Sequence, residues 1–285
     1  MALGAAVRNA LSPSHVSVAV SAPFEARNPY KGLRPFDEAD AQDFYGREAF
    51  VERLLQRWKR PGPPARFLAV VGSSGSGKSS AVRAGLVPAL RRGRVEGSEG
   101  WFITELTPGR HPMEELEAAL LRVAARPPAG LLQLLESGPR GLLQAVDRVV
   151  PEGSELVVVV DQFEEAFTLT EDEAERSLLL ESLRVATADP ASRMWIVATL
   201  RADFYDRPLN YPRFGPLLGA STEVMTPLAP DELEQAIVRP AGSVGLAWNP
   251  PWSLRSLPML PSSPAPYRSS STRSPNSSSG AMMGR

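Results

Sequence analysis

The chain contains no cysteine among its 285 residues, which excludes disulfide bonds, thiolate zinc sites and cysteine nucleophiles. Its two histidines, His15 and His111, lie too far apart in the sequence to form a local metal-binding motif. No apolar run approaches the roughly 18 residues that a membrane-spanning helix needs. The first residues also lack the basic start and the sustained apolar block of a secretory signal. We therefore expect a soluble cytoplasmic protein.

A glycine-rich loop lies between an apolar run at residues 67–71, predicted as a buried strand, and a predicted helix. Four of its residues fill the fixed positions of the phosphate-binding (Walker A) sequence G-x-x-x-x-G-K-[S/T]. Its glycines let backbone N–H groups turn toward phosphate oxygens, and the helix start adds the positive end of its dipole. A flexible Gly/Ser turn is the alternative, but strand, loop and helix occur here in the required order. The predicted nucleotide-binding residues are Gly72, Ser73, Ser74, Gly75, Ser76, Gly77, Lys78, Ser79 and Ser80.

Two residues of this loop have specific predicted roles. Lys78 is expected to reach the β- and γ-phosphates, and the Ser79 hydroxyl is expected to bind Mg²⁺. Lysine is otherwise scarce, since only Lys31 and Lys59 accompany Lys78 among the 31 basic residues. None of the three lies in the N/T-K-x-D motif with which ordinary GTPases recognise guanine. ATP is therefore favoured over GTP. The formal net charge of −1 gives no indication of a nucleic-acid or acidic membrane partner.

Predicted strands alternate with predicted helices along the chain. The clearest strand is Leu156–Val160, and its apolar run is typical of a parallel strand buried on both faces. Further strands are predicted at residues 67–71, 100–106, 195–200 and, more weakly, 222–225. The pattern predicts a three-layer α/β domain with a parallel five-stranded sheet, which binds ligands at the carboxyl ends of its strands.

The helix boundaries are predicted from caps and prolines. The helix after residue 48 is expected to end at the prolines of residues 61–64, and the loop helix at about residue 90. Pro112 suits the first turn of a helix, and short helices are expected at residues 131–135 and 142–149. The pair Thr170 and Glu173 has the spacing of a capping box that opens another helix. A last short helix is predicted at residues 231–238, ended near Pro240.

Charged residues follow two of the predicted strands. Asp161 ends a strand as the Walker B carboxylate does, which orients Mg²⁺ opposite the loop serine, usually through water. Glu164 or Glu165 could polarise the attacking water as a general base, and we favour Glu165 slightly. An acidic helix start is the alternative for one of these glutamates. Arg201 lies where an arginine could stabilise the γ-phosphate, although it could instead pair with Asp203 or Asp206 in a loop.

The sequence resembles the STAND-type P-loop NTPases in four motifs. They are residues 28–48, with NPYKGLRPF and FYGRE, the phosphate loop, DQFEE at residues 161–165 and TLR at residues 199–201. The similarity is to the bacterial novel STAND branch, whose members are often fused to WD-type β-propeller repeats, and covers roughly residues 28–247. It implies an ASCE/AAA-like fold and an ATP-driven switch in signal transduction. It also implies that Gly46, Arg47 and Glu48 lie near the adenine and ribose and that Arg201 senses the nucleotide.

The sequence departs from that family pattern after Trp248. From Asn249 to Arg285 it has eleven serines, seven prolines and no acidic residue, a composition that cannot build a core. We therefore expect a lead-in over residues 1–27, an NTPase domain over 28–247 and a disordered tail over 248–285. Either this tail is natural, or a frameshift in a GC-rich gene has replaced a helical segment. Under the second hypothesis the module is truncated, its protein partners bind missing domains, and ATP turnover is weak or absent.

Two further functions remain open at this point. The chain could be a nucleotide-binding scaffold whose hydrolysis is irrelevant. Less favoured is a small-molecule kinase, because residues 91–94 are the only arginine-rich candidate for a substrate lid and a solvated loop explains them more simply. Transporter-type ATPases and protein kinases are excluded, since their signature motifs are missing.

Overall fold

The five predicted strands form one parallel sheet in the computed structural model, which describes residues 27–59 and 66–246. The strands are β1 (Phe67–Gly72), β2 (Phe102–Leu106), β3 (Leu156–Val160), β4 (Met194–Arg201) and β5 (Thr222–Val224). They lie in the order β2-β3-β4-β1-β5, and every pairing is parallel. All residues of β1 and β3 are buried, as expected for apolar strands covered on both faces.

The strand register brings the carboxyl ends of three strands to one edge of the sheet. Gly72 of β1 pairs with Arg201 of β4, and Val160 of β3 pairs with Ala198 of β4. The residue after β1 opens the glycine-rich loop, and the residue after β3 is Asp161. The sheet therefore places the loop, Asp161 and Arg201 beside one another although they are distant in sequence.

Ten helices accompany the sheet in the described residues, besides the short 3-10 helices Glu38–Asp43, Ser98–Gly100 and Ala202–Phe204. Helix α2 follows the loop and consists of α-helical Lys78–Ser80, π-helical Ala81–Leu86 and α-helical Val87–Arg91. The remaining helices are α1 (Glu48–Trp58), α3 (Pro112–Leu121), α4 (Leu131–Glu136), α5 (Gly141–Val149), α6 (Glu165–Thr168), α7 (Glu173–Ala188), α8 (Asp206–Leu209), α9 (Gly215–Ala220) and α10 (Pro230–Ser243).

The helices cover the two faces of the sheet and enclose two hydrophobic cores. Alternate residues of β1 face opposite ways, so that Phe67 and Val71 join one core while Leu68 and Val70 join the other. The first core includes buried residues of α3, α5 and α7, and the second includes those of α1 and α2. This is the predicted three-layer arrangement.

Helix α2 is held closely against α1. A side chain at Gly85 would place its Cβ 2.5 Å from Cγ2 of Val51 in α1. Glycine is therefore the residue that permits this approach in the π-helical part of α2. The contact fixes the helix whose first turn carries Lys78 and Ser79.

Two predicted helix boundaries are wrong. Helix α7 is capped by Asp172, whose Oδ1 accepts hydrogen bonds from Ala174 N (2.8 Å) and Glu175 N (3.4 Å). Thr170 is not the cap, because its hydroxyl donates to the Gly109 carbonyl oxygen at 3.0 Å. A local capping pattern was thus overridden by a contact to the loop after β2.

The second wrong boundary is that of α10, which continues through Pro240 to Ser243. Contacts on both sides of the proline hold this helix to the N-terminal segment. The Tyr30 hydroxyl donates to the Ile237 carbonyl at 2.6 Å, and the Ser243 hydroxyl donates to Asp43 Oδ1 at 3.1 Å. Tertiary packing therefore outweighs the tendency of an interior proline to end a helix.

Some predictions lie outside the described residues. These are the lead-in, apart from Arg27, the prolines of residues 61–64 and the tail from residue 247 onward. Within the residues that are described, no helix combines the length and apolar character needed to cross a membrane.

Replacing Asp172 with alanine is expected to cost about 1 kcal/mol of unfolding free energy, because two N–H groups of α7 lose their acceptor. Urea unfolding measures this cost. Glu171→Ala is the matched control, since that side chain is 89% exposed and its ion pair with Arg110 is a surface pair. Equal losses in the two variants would contradict the assignment of the cap.

Candidate functional site

The glycine-rich loop turns back on itself between β1 and α2. Gly75 and Gly77 have φ values of 72° and 92°, in the left-handed region that favours glycine. The N–H of Ser76 donates to the Ser73 carbonyl oxygen at 3.3 Å and closes the turn. The loop therefore adopts a concave backbone conformation directly before a helix start, which is a geometry suited to an anion.

Lys78 lies across this loop. Its Nζ donates to the carbonyl oxygens of Gly72 (3.1 Å) and Ser73 (2.9 Å). Burial lowers the pKa of Lys78; the charges of Glu164 and Asp161 act in the opposite direction, and that of Arg201 in the same direction. The ammonium group is thus close to the carboxylates at the strand ends.

Asp161 accepts hydrogen bonds from two hydroxyl groups on one oxygen. Its Oδ1 lies 2.7 Å from Ser79 Oγ and 2.6 Å from Thr199 Oγ1, and only 4% of its side chain is exposed. The backbone N–H of Gln162 donates to Thr199 Oγ1 at 3.0 Å. Thr199 Oγ1 thus accepts from Gln162 and donates its own proton to Asp161. Thr199 therefore belongs to the site.

The pair of Ser79 and Asp161 fits a magnesium ion. Since the Ser79 proton is directed at Asp161, the lone pairs of the hydroxyl are left to face the cavity. Hydroxyl and carboxylate oxygens are the hard ligands that Mg²⁺ prefers, and this ion usually keeps several waters and binds substrate phosphates. No group of three His, Cys, Asp or Glu side chains in the described residues could hold a metal alone. The donor set thus suits an ion shared with a nucleotide.

The two adjacent glutamates, Glu164 and Glu165, have different interaction partners. Glu164 is buried, and its Oε2 accepts a hydrogen bond from the backbone N of Arg201 at 3.2 Å. Burial raises the pKa of Glu165, and the charges of Glu164 and Asp161 raise it further. The backbone N–H of Gly109, in the loop after β2, acts to lower the pKa of Glu165. Glu164 is thus the glutamate that contacts the end of β4.

The guanidinium group of Arg201 forms an ion pair with Asp203 beside the site. Its Nε lies 3.1 Å from Asp203 Oδ1, and its second nitrogen lies 2.5 Å from Asp203 Oδ2. It also lies over the ring of Phe204, with 40% of the side chain exposed. Of the two carboxylate partners considered from the sequence, Asp203 is the one in contact.

A cavity of about 670 Å³ opens at this edge of the sheet. Four parts of the chain border it: the segment before α1, the loop with the first half of α2, the residues after β3, and the region of α10. The lining residues are Gly32, Leu33, Arg34, Pro35, Phe36, Asp43, Phe44, Tyr45, Arg47, Gly75, Ser76, Gly77, Lys78, Ser79, Ser80, Arg83, Asp161, Gln162, Leu228 and Ala236.

Arg47 connects these parts of the cavity wall. Its guanidinium donates to the carbonyl oxygens of Ser76 (3.1 Å) and Thr226 (2.9 Å). Burial lowers the pKa of Arg47. Among the three residues expected near the adenine, Arg47 lines the cavity, whereas Gly46 and Glu48 do not. Glu48 accepts from Gly46 N at 2.9 Å, so these two residues shape the turn that presents Arg47.

Arg83 and Glu105 also belong to the site, although neither is part of a recognisable sequence motif. Arg83 lies in the π-helical part of α2 and is paired with Glu105 of β2. One of its nitrogens donates to Asp161 Oδ2 at 3.0 Å. Both oxygens of Asp161 are therefore occupied by hydrogen-bond donors.

Fold and site together define a P-loop NTPase, with a phosphate loop opposite a carboxylate at the end of a parallel strand. The chain matches the model of the nSTAND1 family, described as Novel STAND NTPase 1, over residues 29–259, and it belongs to that family. The resemblance found in the sequence is thereby confirmed, and the chain carries a nucleotide-binding NTPase module of STAND type. Comparison with curated proteins gives no match.

Solved structures with a similar fold include two proteins of Aeropyrum pernix and one of Pyrobaculum aerophilum. The ORC2 protein of Aeropyrum pernix, solved as ADPNP–ADP complexes, is 19% identical with a TM-score of 0.51, covering 81% of this chain and 59% of that one. The A. pernix ORC1 protein, solved in complex with DNA, is 18% identical with a TM-score of 0.49 and coverages of 72% and 51%. Cdc6p of Pyrobaculum aerophilum is 17% identical with a TM-score of 0.44 and coverages of 79% and 54%. This chain thus spans between 51% and 59% of their length.

Replacing Gly46 with alanine is expected to destabilise the cavity wall, because the new Cβ would lie 2.3 Å from the Glu232 carbonyl oxygen in α10. Gly32→Ala is the matched control, since its φ of 63° is also positive but its Cβ would meet nothing within 4 Å. We expect about 1 kcal/mol for Gly32→Ala and at least about 2 kcal/mol more for Gly46→Ala in urea unfolding. Similar costs would show that α10 does not pack on Gly46.

Proposed function

We propose that this chain binds ATP with Mg²⁺ and acts as a nucleotide-dependent switch in bacterial signal transduction. The observation that carries the proposal is the cavity, which joins the phosphate loop and Asp161 to the N-terminal segment and α10. A nucleotide in this cavity would contact elements about 200 residues apart in the sequence. Its binding and release can therefore change how these elements pack.

The phosphate end of the nucleotide is assigned to the loop. Lys78 would exchange its carbonyl contacts for phosphate oxygens, and the backbone N–H groups of the loop would bind the others. Ser79 would hold the metal directly and Asp161 through water, and bound Mg²⁺ would neutralise phosphate charge. The hydrogen bond from Ser79 to Asp161 supports this assignment, because it orients the hydroxyl without using its lone pairs.

The base end is assigned to the part of the cavity near Arg47, Leu228 and Ala236. Apolar side chains there suit the face of a purine. The carboxylate of Asp43 also lines the cavity, but it is paired with Arg27 and accepts from Ser243. Since a carboxylate that recognises guanine must be free to accept from the base, this engagement supports ATP over GTP. Gly46 and Glu48 would act indirectly, by placing Arg47.

Hydrolysis is assigned to Glu164 rather than Glu165. Glu164 is the glutamate that contacts the end of β4, and its charge acts on Lys78. Glu165 is the next residue along the chain, at the start of α6. Arg201 would have to leave Asp203 to reach a γ-phosphate, so we expect slow turnover by this chain. Its protein partners are proposed to bind regions beyond the domain, and its compartment is proposed to be the cytoplasm.

A second candidate function is a nucleotide-binding scaffold that does not hydrolyse ATP. The ion pair between Arg201 and Asp203 favours it, because the guanidinium lies outside the cavity lining. In this case the cavity would bind ATP, and Glu164 would have only a structural role.

Lys78→Ala is expected to weaken binding of a non-hydrolysable ATP analogue at least about 100-fold, because a buried ammonium at the phosphates is lost. Isothermal titration calorimetry measures this change. Lys59→Ala is the control, since Lys59 is exposed and does not line the cavity. Unchanged affinity in Lys78→Ala would refute the site.

Glu164→Gln is expected to slow single-turnover ATP hydrolysis about 100-fold or more, as for loss of a general base, while nucleotide binding is kept. Glu165→Gln should change the rate less than about threefold, because the contact with the end of β4 is made by Glu164. Quenched-flow measurement of ADP formation tests both variants. A larger loss of rate in Glu165→Gln than in Glu164→Gln would assign the general base to Glu165. Absence of hydrolysis in the unmodified chain would favour the scaffold function.

A further inference from the structure

We infer that Arg83 sets the metal affinity of the nucleotide site by neutralising Asp161, and that Glu105 limits this effect by competing for the same guanidinium. The inference rests on the proposed function, because it concerns the magnesium site assigned to Ser79 and Asp161. It adds two residues that neither the phosphate loop nor the strand-end motif contains.

The arrangement of charges carries the inference. Arg83 donates through Nε to both oxygens of Glu105 (2.8 and 3.0 Å) and through a terminal nitrogen to Asp161 Oδ2 at 3.0 Å. A second terminal nitrogen lies 3.9 Å from Asp37 Oδ1. One cation is thus shared among three carboxylates. Because Asp161 is nearly fully buried, its charge is the least screened by water.

Arg83 is positioned to act on the metal without binding it. It lines the same cavity as Ser79 and Asp161, and its side chain is 24% exposed. An arginine guanidinium stays protonated in proteins, so the charge of Arg83 is permanent. A permanent positive charge beside the metal carboxylate disfavours a divalent cation. The nucleotide-free site is therefore kept weak for metal alone.

Glu105 acts in the opposite direction. Its carboxylate is 35% exposed and shares the Arg83 guanidinium with Asp161. Removing the charge of Glu105 would strengthen the pairing of Arg83 with Asp161, whereas removing Arg83 would leave the charge of Asp161 without its cationic partner. The two substitutions should therefore shift metal affinity in opposite directions. If Arg83 and Glu105 only held α2, β2 and β3 together, both substitutions would change metal affinity in the same direction.

The test is a titration of the nucleotide-free chain with Mn²⁺, in which electron paramagnetic resonance counts the free ion and Mg²⁺ competes for the site. We expect Arg83→Met to bind Mn²⁺ about tenfold more tightly and Glu105→Gln to bind it at least about threefold more weakly. Arg94→Met is the matched control, because Arg94 follows α2 but pairs with Glu52, and its affinity should be unchanged. Shifts of the same sign, or no shifts, would overturn the inference.

Two further variants keep the outcome interpretable. Arg83→Lys retains the charge but not the forked geometry, so its Mn²⁺ affinity should stay within about threefold of the unmodified chain even if Arg83→Met fails to fold. A large change in Arg83→Lys would show that geometry rather than charge decides. Asp161→Asn should abolish site-specific Mn²⁺ binding. If it does not, the proposed metal site is wrong and this inference falls with it; if it does, the Arg83 and Glu105 results judge the inference alone.

Discussion

The hydrogen bonds to the buried Asp161 carboxylate are the interaction on which the site depends. A buried carboxylate is costly unless donors satisfy it, and here Ser79, Thr199 and Arg83 do so. These donors come from the start of α2, from β4 and from the π-helical turn. One side chain thus joins the phosphate loop to two strands. Because Ser79 donates its proton to Asp161, the lone pairs of its hydroxyl stay available for a ligand. The same hydrogen bond therefore stabilises the buried carboxylate and orients the hydroxyl for the ligand.

The strand order explains why Thr199 has this role. Strand β4 lies between β1 and β3, so a hydroxyl near its end reaches the carboxylate that follows β3. The sequence indicated where each strand ends, because apolar runs are followed by Gly72, Asp161 and Arg201. It contained no signal for which strands are neighbours. Residues predicted from motifs could therefore be placed at one edge, but a residue acting across the sheet could not be found.

The features that the sequence did not predict depend on tertiary contacts. Thr170 had the spacing of a cap, yet Asp172 caps α7 because Thr170 is engaged by the loop after β2. Pro240 was expected to end α10, yet contacts to the N-terminal segment carry the helix onward. The pairing of Arg83 with Glu105 joins α2 to β2, which no local pattern specifies. By contrast, the five strands follow from local apolar runs, and the parallel sheet was predicted correctly.

The contacts that hold α10 over the cavity are of a kind that a ligand can rearrange. They include three polar contacts: the Tyr30 hydroxyl to Ile237, Ser243 to Asp43, and the exposed pair of Arg239 and Glu48 at 3.4 Å. Hydrogen bonds of this kind contribute only about 0.5–1.5 kcal/mol each, and exposed ion pairs less. The two hydrophobic cores, one on each face of the sheet, contain no residue of α10. Under the proposed function, a nucleotide with a few kcal/mol of preference for one position of α10 would shift its packing and leave the sheet intact.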